Sequence, residues 1–366
     1  MMDYHPLPGV RKIAVLRPNA VGDFVFALPC LHALRHAYPD ARITYIGKQW
    51  HADFLANRPG PVDDVEVLPP CPGLGLPPDA DIDPMPARRF VERMRASAFD
   101  IALQVYGGGL YSNPFIMQFE ARLTVGMKAP DASPLDRWVT YGELQNRRLQ
   151  MLEVAALAGA STVHLGRELH VTDADRREAG CVLDAAQGRP LVVLQPGASD
   201  PRRRWPADRF AALGDILARE GAQVAINGSA EEAGVVAQVL EQMRQPAINL
   251  CGQLSLSGLC GVLERASLVV SNDTGPLHLA LAIGTPSVGI YWLTNVLESA
   301  PLRQDHHRAA MSLRVQCPVC GVENLKTRCE HDNSFVDGVT LEEASHLALA
   351  LYREQKKAWS PARPLP

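Results

Sequence analysis

Short apolar runs alternate along this chain with longer stretches in which apolar residues recur at helical spacing. Lys12–Leu16, Arg42–Ile46 and Asp100–Val105 read as buried strands, and so do Leu191–Leu194, Gln223–Ile226, Leu268–Val270 and Ser287–Tyr291. Between them, Phe24, Leu28, Leu31, Leu34 and Tyr38 share one helix face, as do Phe210, Leu213, Ile216 and Leu217. Strands alternating with amphipathic helices predict βα units and parallel sheets. The pattern repeats in two α/β halves of similar size, placing domains at 1–170 and 185–340, with a C-terminal helix and tail at 341–366. The polar stretch Gly166–Pro190, with its charge run Asp173–Glu178, separates the halves. Pro69–Pro86, rich in Pro, Gly and Asp, reads as a loop insertion within the first half. Leu341–Tyr352 is amphipathic and leads into a basic, Pro-rich tail.

Composition narrows the class. A length of 366 residues suits two domains, and 47% hydrophobic with 21% charged residues is enough to bury a sizeable core. A net charge of −4 argues against a nucleic-acid coat, so no nucleic acid is expected as a partner. No apolar run approaches the ~18 residues that span a bilayer. The opening MMDYHPLPGVRK has no apolar signal core. Eight cysteines are too sparse for a disulfide scaffold. The expectation is a cytoplasmic globular protein.

Doubly wound sheets bind ligands at the carboxyl ends of their strands, so the loops after strands carry the information. Four segments stand out. In Arg17-Pro-Asn-Ala-Val-Gly-Asp23, Gly22 permits a tight turn and Asp23 sits at the edge of the next helix. A carboxylate there can act as general base towards a hydroxyl group, or can cap the helix. In Gln195–Pro206, three consecutive arginines lie on a strand-to-helix loop. Arg203 and Arg204 suit bidentate phosphate contacts, and the Gly197–Ser199 turn offers backbone N–H groups to an anion; the alternative is a solvated basic loop. In Ser271-Asn-Asp-Thr-Gly-Pro-Leu-His278, a strand enters a helix that opens with Pro276. That builds an anion site from a helix N-terminus, with Thr274 and Gly275 as donors. Asp273 beside a phosphate makes sense where it orders donors, and otherwise as a cap; His278 is otherwise a satisfied core histidine. The fourth segment, Cys317-Pro-Val-Cys320 with Cys329-Glu-His331, offers four soft and borderline ligands for structural zinc or iron, or a labile disulfide, or no ligand at all. Cys30, Cys71, Cys181, Cys251 and Cys260 are scattered and read as small apolar residues.

Other chemistries lack their signatures. The glycine-rich turn Gly107–Ser112 misses the third glycine of a dinucleotide fingerprint, and there is no P-loop, GxSxG elbow or HExxH pair.

Asn19-Ala-Val-Gly-Asp-Phe-Val-Phe-Ala-Leu-Pro29, the segment from Gly197 to Arg203-Arg204-Trp205-Pro206, and Ser271–His278 together resemble glycosyltransferase family 9, the lipopolysaccharide heptosyltransferases and their relatives. The resemblance runs in register from about Lys12 to beyond Tyr291. It implies a GT-B fold: two Rossmann-like, doubly wound domains facing across a cleft, with the acceptor bound by the first and the nucleotide-sugar by the second. It also implies inverting transfer of a heptose from ADP-heptose to a glycolipid or other glycan acceptor, with no cofactor needed for catalysis. Asp23 matches the family's base. Arg203 stands where many members carry a lysine facing the donor phosphates, which is a departure. Asp273, Thr274, Gly275 and His278 match the diphosphate loop, while Gly228 and Glu231 (or Glu232) fall near a segment that contacts the nucleoside, and Gly252–Leu254 near the adenine. The resemblance places the protein in the cytoplasm with peripheral contact to the inner membrane. Arg88, Arg89, Arg93, Arg95, Arg147 and Arg148 are candidates to meet an anionic headgroup, or simply solvated faces. Three alternatives remain: another nucleotide-sugar donor or a protein acceptor, a nucleotide-sugar epimerase, and a catalytically silent nucleotide-binding module. A base in the opposite domain argues against the last.

Overall fold

The structure, a computed structural model, describes residues 4–161, 165–183 and 188–358. It divides into two units, 1–170 and 171–366. In the first, strands β1 (Lys12–Leu16), β2 (Arg42–Gly47), β3 (Asp64–Val67), β4 (Ile101–Gln104), β5 (Leu123–Lys128) and β6 (Arg137–Thr140) alternate with helices α1 (Val21–Ala37), α2 (Gln49–Leu55), α3 (Met85–Ala96), α4 (Ser112–Met117) and α5 (Arg147–Leu157). The six strands pair in the order β3-β2-β1-β4-β5-β6, every neighbour parallel. A parallel sheet covered on both faces needs apolar residues at successive positions. β1 shows this with Ile13, Ala14, Val15 and Leu16 all buried. The edge strands β3 and β6 are only half-buried and polar, which is why periodicity alone did not mark them.

The second unit repeats the plan. Helix α6 (Asp173–Val182) precedes β7 (Leu191–Gln195), α7 (Ala207–Arg219), β8 (Gln223–Ile226), α8 (Ala233–Gln242), β9 (Ala247–Asn249), α9 (Leu256–Arg265) and β10 (Ala266–Asn272). Then follow α10 (Gly275–Ile283), β11 (Ser287–Trp292), α11 (Leu293–Ser299), β12 (His307–Ser312) and α12 (Leu341–Ala358). Strand order is β12-β11-β10-β7-β8-β9, again parallel throughout. Both sheets have the doubly wound order, whose direction reverses between β1 and β4 in one and between β7 and β10 in the other.

Two segments read as peripheral in the sequence are built into this unit. The polar stretch before β7 contains α6, whose Thr172 caps it by accepting from Asp175 N at 3.2 Å. α6 lies so close to α9 that a Cβ on Gly261 would fall 2.2 Å from the Asp175 carbonyl oxygen. Glu178 accepts from Ser255 Oγ at 2.6 Å across the same contact. The C-terminal helix runs to Ala358, six residues past the expected Tyr352, and residues 359–366 of the tail lie outside the described residues. Ala344, Ala348, Leu351 and Tyr352 enter the core beside Trp205, Phe210 and Phe335. Of the scattered cysteines, Cys30 and Cys260 are buried, whereas Cys181 is exposed, contrary to its apolar reading.

Because α12 closes this core, Leu351→Ala is expected to destabilise the second unit by about 2–5 kcal/mol in chemical denaturation, the cost of a buried leucine cavity. A helix lying loosely on the surface would show almost no loss.

Candidate functional site

In the first unit, β1 ends at a buried arginine. Arg17 donates from Nε to the Asp23 carbonyl at 2.7 Å, from Nη2 to Asp23 Oδ1 at 2.8 Å, and from Nη1 to the Val105 carbonyl. Its own carbonyl accepts from Tyr45 Oη at 2.7 Å. Burial pulls the guanidinium below its ordinary pKa, and the Asp23 charge opposes that fall. The cap of α1 is Ala20, with no side-chain bond, so Asp23 is not a cap; it lies in the first turn, half-buried, tied to Arg17. Phe24, next in the chain, packs edge-on against Tyr45, Trp50 and Phe54, which anchors the start of α1. The sequence motif by itself assigns Arg17 no role. Its position as the last residue before a polar turn, where an apolar run would otherwise continue, was the available signal.

The second unit assembles its loops around the β7/β10 reversal. Gln195 at the end of β7 is buried, accepts from Asn227 Nδ2 at 2.6 Å and donates to Glu232 Oε2 at 3.1 Å. That carboxylate also takes Ser229 N at 2.9 Å. Gly197 passes so near that a Cβ there would lie 2.0 Å from the Glu232 carboxyl group, so a larger residue would have to displace that side chain. Gly228 is similarly confined: a Cβ would meet Val236 at 2.7 Å. Next, a 3-10 turn over Pro201–Arg203 is capped by Asp200, which accepts from Arg202 N at 3.0 Å.

The three arginines diverge. Arg202 is held by Asp200, with Nη2–Oδ2 at 2.7 Å, and lies 5.4 Å above the Trp292 ring. Arg203 donates from Nη2 to Ser199 Oγ at 2.9 Å and from Nη1 to the Asp273 carbonyl at 3.3 Å, with Asp273 Oδ2 at 3.6 Å. Its Nε is buried with no hydrogen-bond partner among the described residues. Arg204 donates to the Ala198 carbonyl at 2.9 Å. Buried Asn272 ties the two loops together, accepting from Trp205 N at 3.0 Å and donating to the Pro196 carbonyl at 2.8 Å.

Asp273 follows. Its Oδ1 accepts from Ser299 Oγ at 2.8 Å and pairs with His278 Nε2 at 3.0 Å. Burial alone would raise this carboxyl, but the His278 hydrogen bond and charge, the Arg203 charge and the Ser299 bond together hold it below the usual range. The carboxylate is therefore an organiser of donors and not a cap. Thr274 takes the cap position of α10 without a side-chain bond, Pro276 sits in the first turn, and Gly284 ends the helix in the left-handed region. The uncapped N-terminus carries the positive end of the helix dipole. Beside these loops an open groove of about 470 Å³ is lined by Arg204, Glu231, Glu232, Gln238, Asp332 and Ser334. Thus Ser199, Arg203, Asp273 and His278 meet in one cluster, with Thr274 and Gly275 on its helix, while Gly197 lies against Glu232 and Arg204 and Glu231 face the adjoining groove. Asp23 belongs to the first unit.

The cysteine segment converges as well. The ligand atoms of Cys317, Cys320, Cys329 and His331 all lie within 4.8 Å of one another. Gly321 turns the chain in the left-handed region, its N–H donating to the Cys317 carbonyl at 3.0 Å. Cys317 Sγ accepts from Val319 N, and Cys329 Sγ from Asn324 Nδ2, both at 3.4 Å. The bond from Asn324, with further contacts from His331 and Cys317, lowers the Cys329 thiol to about 6, despite some opposition from burial. His331 Nδ1 is buried without a hydrogen-bond partner among the described residues. Three sulfurs and an imidazole at this spacing, with N–H groups turned towards sulfur, fit a tetrahedral zinc or iron ion. The cluster is remote from the arginine loop in sequence but adjacent in space: Arg202 Nη1 donates to Asn324 Oδ1 at 3.0 Å and Ser334 Oγ donates to the Arg204 carbonyl at 2.7 Å.

Among the basic candidates in the first unit, Arg88, Arg89, Arg93 and Arg95 are exposed along α3. Arg148 is buried, 4.8 Å above the Phe26 ring, and so is not available to a headgroup.

Two doubly wound units with loops gathered at the strand reversal define the GT-B class, and solved structures bear this out. The chain superposes on glycosyl transferase family 9 from Veillonella parvula with TM-score 0.77 at 21% identity, covering 94% of this chain and 97% of that one. Its TM-score to the E. coli ADP-heptose lps heptosyltransferase II is 0.73 at 19% identity, with 94% and 99% covered. It is 26% identical over 321 residues to lipooligosaccharide heptosyltransferase 2 of Haemophilus ducreyi, covering 80% of this chain and 86% of the relative. Residues 87–326, more than half of the chain, match glycosyltransferase family 9 (heptosyltransferase), and the protein belongs to that family.

The pairing around Asp273 predicts an acid limb in stability. A carboxyl depressed on folding stabilises the native state above its unfolded pKa of about 3.9, and the contribution is lost as pH falls through the folded value. Asp273→Asn should be about 3–5 kcal/mol less stable than wild type at pH 7, as when a buried pair loses one partner. Urea midpoints measured downward from pH 5 should show the gap closing below about pH 4; a constant gap would mean that the carboxyl titrates normally.

Proposed function

We propose that this protein is an inverting heptosyltransferase that moves a heptose from ADP-heptose to a hydroxyl of a lipopolysaccharide-core-type acceptor. The observation that carries the reading is the cluster of Arg203, Asp273 and His278 at the N-terminus of α10, in a chain of the heptosyltransferase family. A buried carboxylate that aims Arg203 beside an uncapped helix N-terminus makes a site for a diphosphate. The Arg203 side chain keeps 23% of its surface exposed, which leaves a guanidinium edge open to a ligand oxygen.

In this reading Asp23, aimed by Arg17, takes the proton of the acceptor hydroxyl as that oxygen attacks the anomeric carbon. The nucleoside diphosphate leaves from the opposite face, which inverts the centre. Negative charge grows on the bridging phosphate oxygen, where Arg203 and the α10 N-terminus stabilise it. These groups supply the positive charge, so the reaction calls for no catalytic metal. Arginine in the place of the family's usual lysine presents a planar fork instead of a point charge. Glu231 and the groove beside Arg204 would take the nucleoside. Gly197 and Gly228 keep the neighbouring backbone close enough to line it. Among the described residues no helix is long and apolar enough to cross a membrane. In this reading the enzyme works in the cytoplasm and meets its glycolipid acceptor peripherally, with the exposed arginines of α3 towards anionic headgroups. The Cys317, Cys320, Cys329 and His331 set would hold a structural zinc or iron ion.

Two measurements test this reading. Asp23→Asn should lower transfer by at least about 10²-fold while ADP affinity stays within about twofold of wild type. In a thermal-shift panel of ADP, UDP, GDP and CDP, ADP at about 100 times its Kd should add roughly 2.7 kcal/mol. Preference for another nucleotide would keep the transferase and discard the heptose donor. Separately, elemental analysis of freshly purified, unchelated protein should give close to one equivalent of zinc or iron, and less than a tenth would remove the metal from the reading.

A further inference from the structure

Asn324 is buried, and its side chain works in two directions. Towards the cysteine cluster, Nδ2 donates to Cys329 Sγ at 3.4 Å and to the Val322 carbonyl at 2.9 Å, while Oδ1 accepts from Cys329 N at 3.3 Å. Towards the arginine loop, the same Oδ1 accepts from Arg202 Nη1 at 3.0 Å. Arg202 has little freedom of its own. Asp200 grips its guanidinium, Trp292 lies beneath it, and its carbonyl accepts from Phe335 N at 2.7 Å. Asp200 also caps the turn that ends at Arg203, and Arg328, between Asn324 and Cys329's neighbours, brings Nη1 to 4.0 Å from Asp200 Oδ1. One residue beyond Arg202, Arg203 reaches Ser199 and Asp273.

We propose that Asn324 and Arg202 couple the Cys317–Cys320–Cys329–His331 cluster to the loop that holds Arg203, so that metal loading of the cluster raises affinity for a nucleoside diphosphate. This rests on the reading of that loop as the diphosphate site. An ion drawing four ligands together fixes the segment from Cys317 to His331 and with it the Asn324 side chain. Asn324 then offers Arg202 a buried, pre-oriented acceptor, and the turn presents Arg203 to the ligand without further ordering cost. With the ion removed, three sulfurs at close range hold the segment less tightly, and Arg202 loses that fixed acceptor. By linkage, a nucleotide that favours the ordered loop must also favour the loaded cluster. Asn324 and Arg202 are positioning residues in this scheme, since neither touches the reacting atoms.

The test uses the full chain, loaded with zinc or stripped by a chelator, with circular dichroism confirming that both forms are folded. Stripping should weaken ADP binding about tenfold by calorimetry, within the usual range of such couplings. It should also speed amide hydrogen exchange in residues 197–206. Arg202→Gln should retain zinc yet bind ADP equally weakly in both forms. Asn324→Leu removes both the acceptor for Arg202 and the donor to Cys329, and should lose the loaded-state affinity. In cobalt-substituted protein, ADP should shift the thiolate-to-metal absorption in wild type and leave it unchanged in Arg202→Gln. Equal ADP affinity and equal exchange in loaded and stripped wild type would overturn the coupling. A loaded protein that binds no ADP would instead remove the nucleotide reading, and the exchange comparison would still decide the link between cluster and loop.

Discussion

A carboxylate without access to water has to be satisfied by its neighbours, and in the second unit that requirement falls on Asp273. An unpaired buried charge costs several kcal/mol, so the fold places Ser299, His278 and Arg203 around it. Each comes from a different element: the end of α11, the body of α10 and the turn after β7. Satisfying one charge thereby fixes three pieces of chain, and the uncapped N-terminus of α10 is left beside an oriented guanidinium. The proposed anion site would thus follow from satisfying that one charge, which accounts for a negative residue in a loop read as a phosphate binder.

The first unit solves a related problem with opposite polarity. Arg17 is the buried charge there, and it is satisfied by two carbonyls and the Asp23 carboxylate. The same strand order serves both units, and in both the chemistry-bearing loop follows the first strand of the sheet, at the reversal. What differs is which partner is left accessible. In the first unit a carboxylate keeps a water-facing edge, while in the second the cation does.

The cysteine cluster extends the same logic into a neighbouring loop. Asn324 satisfies a thiol and a guanidinium at once, so a segment about 120 residues from the arginine loop becomes part of its support. Buried polar groups shared in this way rigidify the loops they join, because an unpaired member in a low-dielectric interior is costly.

Much of this was legible in the sequence for a local reason. β-strands covered on both faces must be continuously apolar, so β1, β2, β4, β7, β8, β10 and β11 declared themselves, and the turn chemistry of Gly22, Gly197 and Pro276 marked the loops that follow. The edge strands β3, β6, β9 and β12 did not, because partial exposure breaks the continuous apolar run, and neither did the buried β5, whose run is interrupted by Thr124 and Gly126. Chemical identity was likewise readable: which segments could hold a diphosphate, a base or a metal follows from residue type and short spacing. Partnership was not. That Asp273 faces inward, that Arg202 is held by Asp200 over Trp292 while Arg203 reaches Asp273, that Arg148 is buried and that α6 and α12 belong to the second unit all depend on packing that the linear sequence does not display. A linear pattern records what each residue can do, and only the packed structure, where every buried charge must find its counterpart, decides which of those capacities is already used.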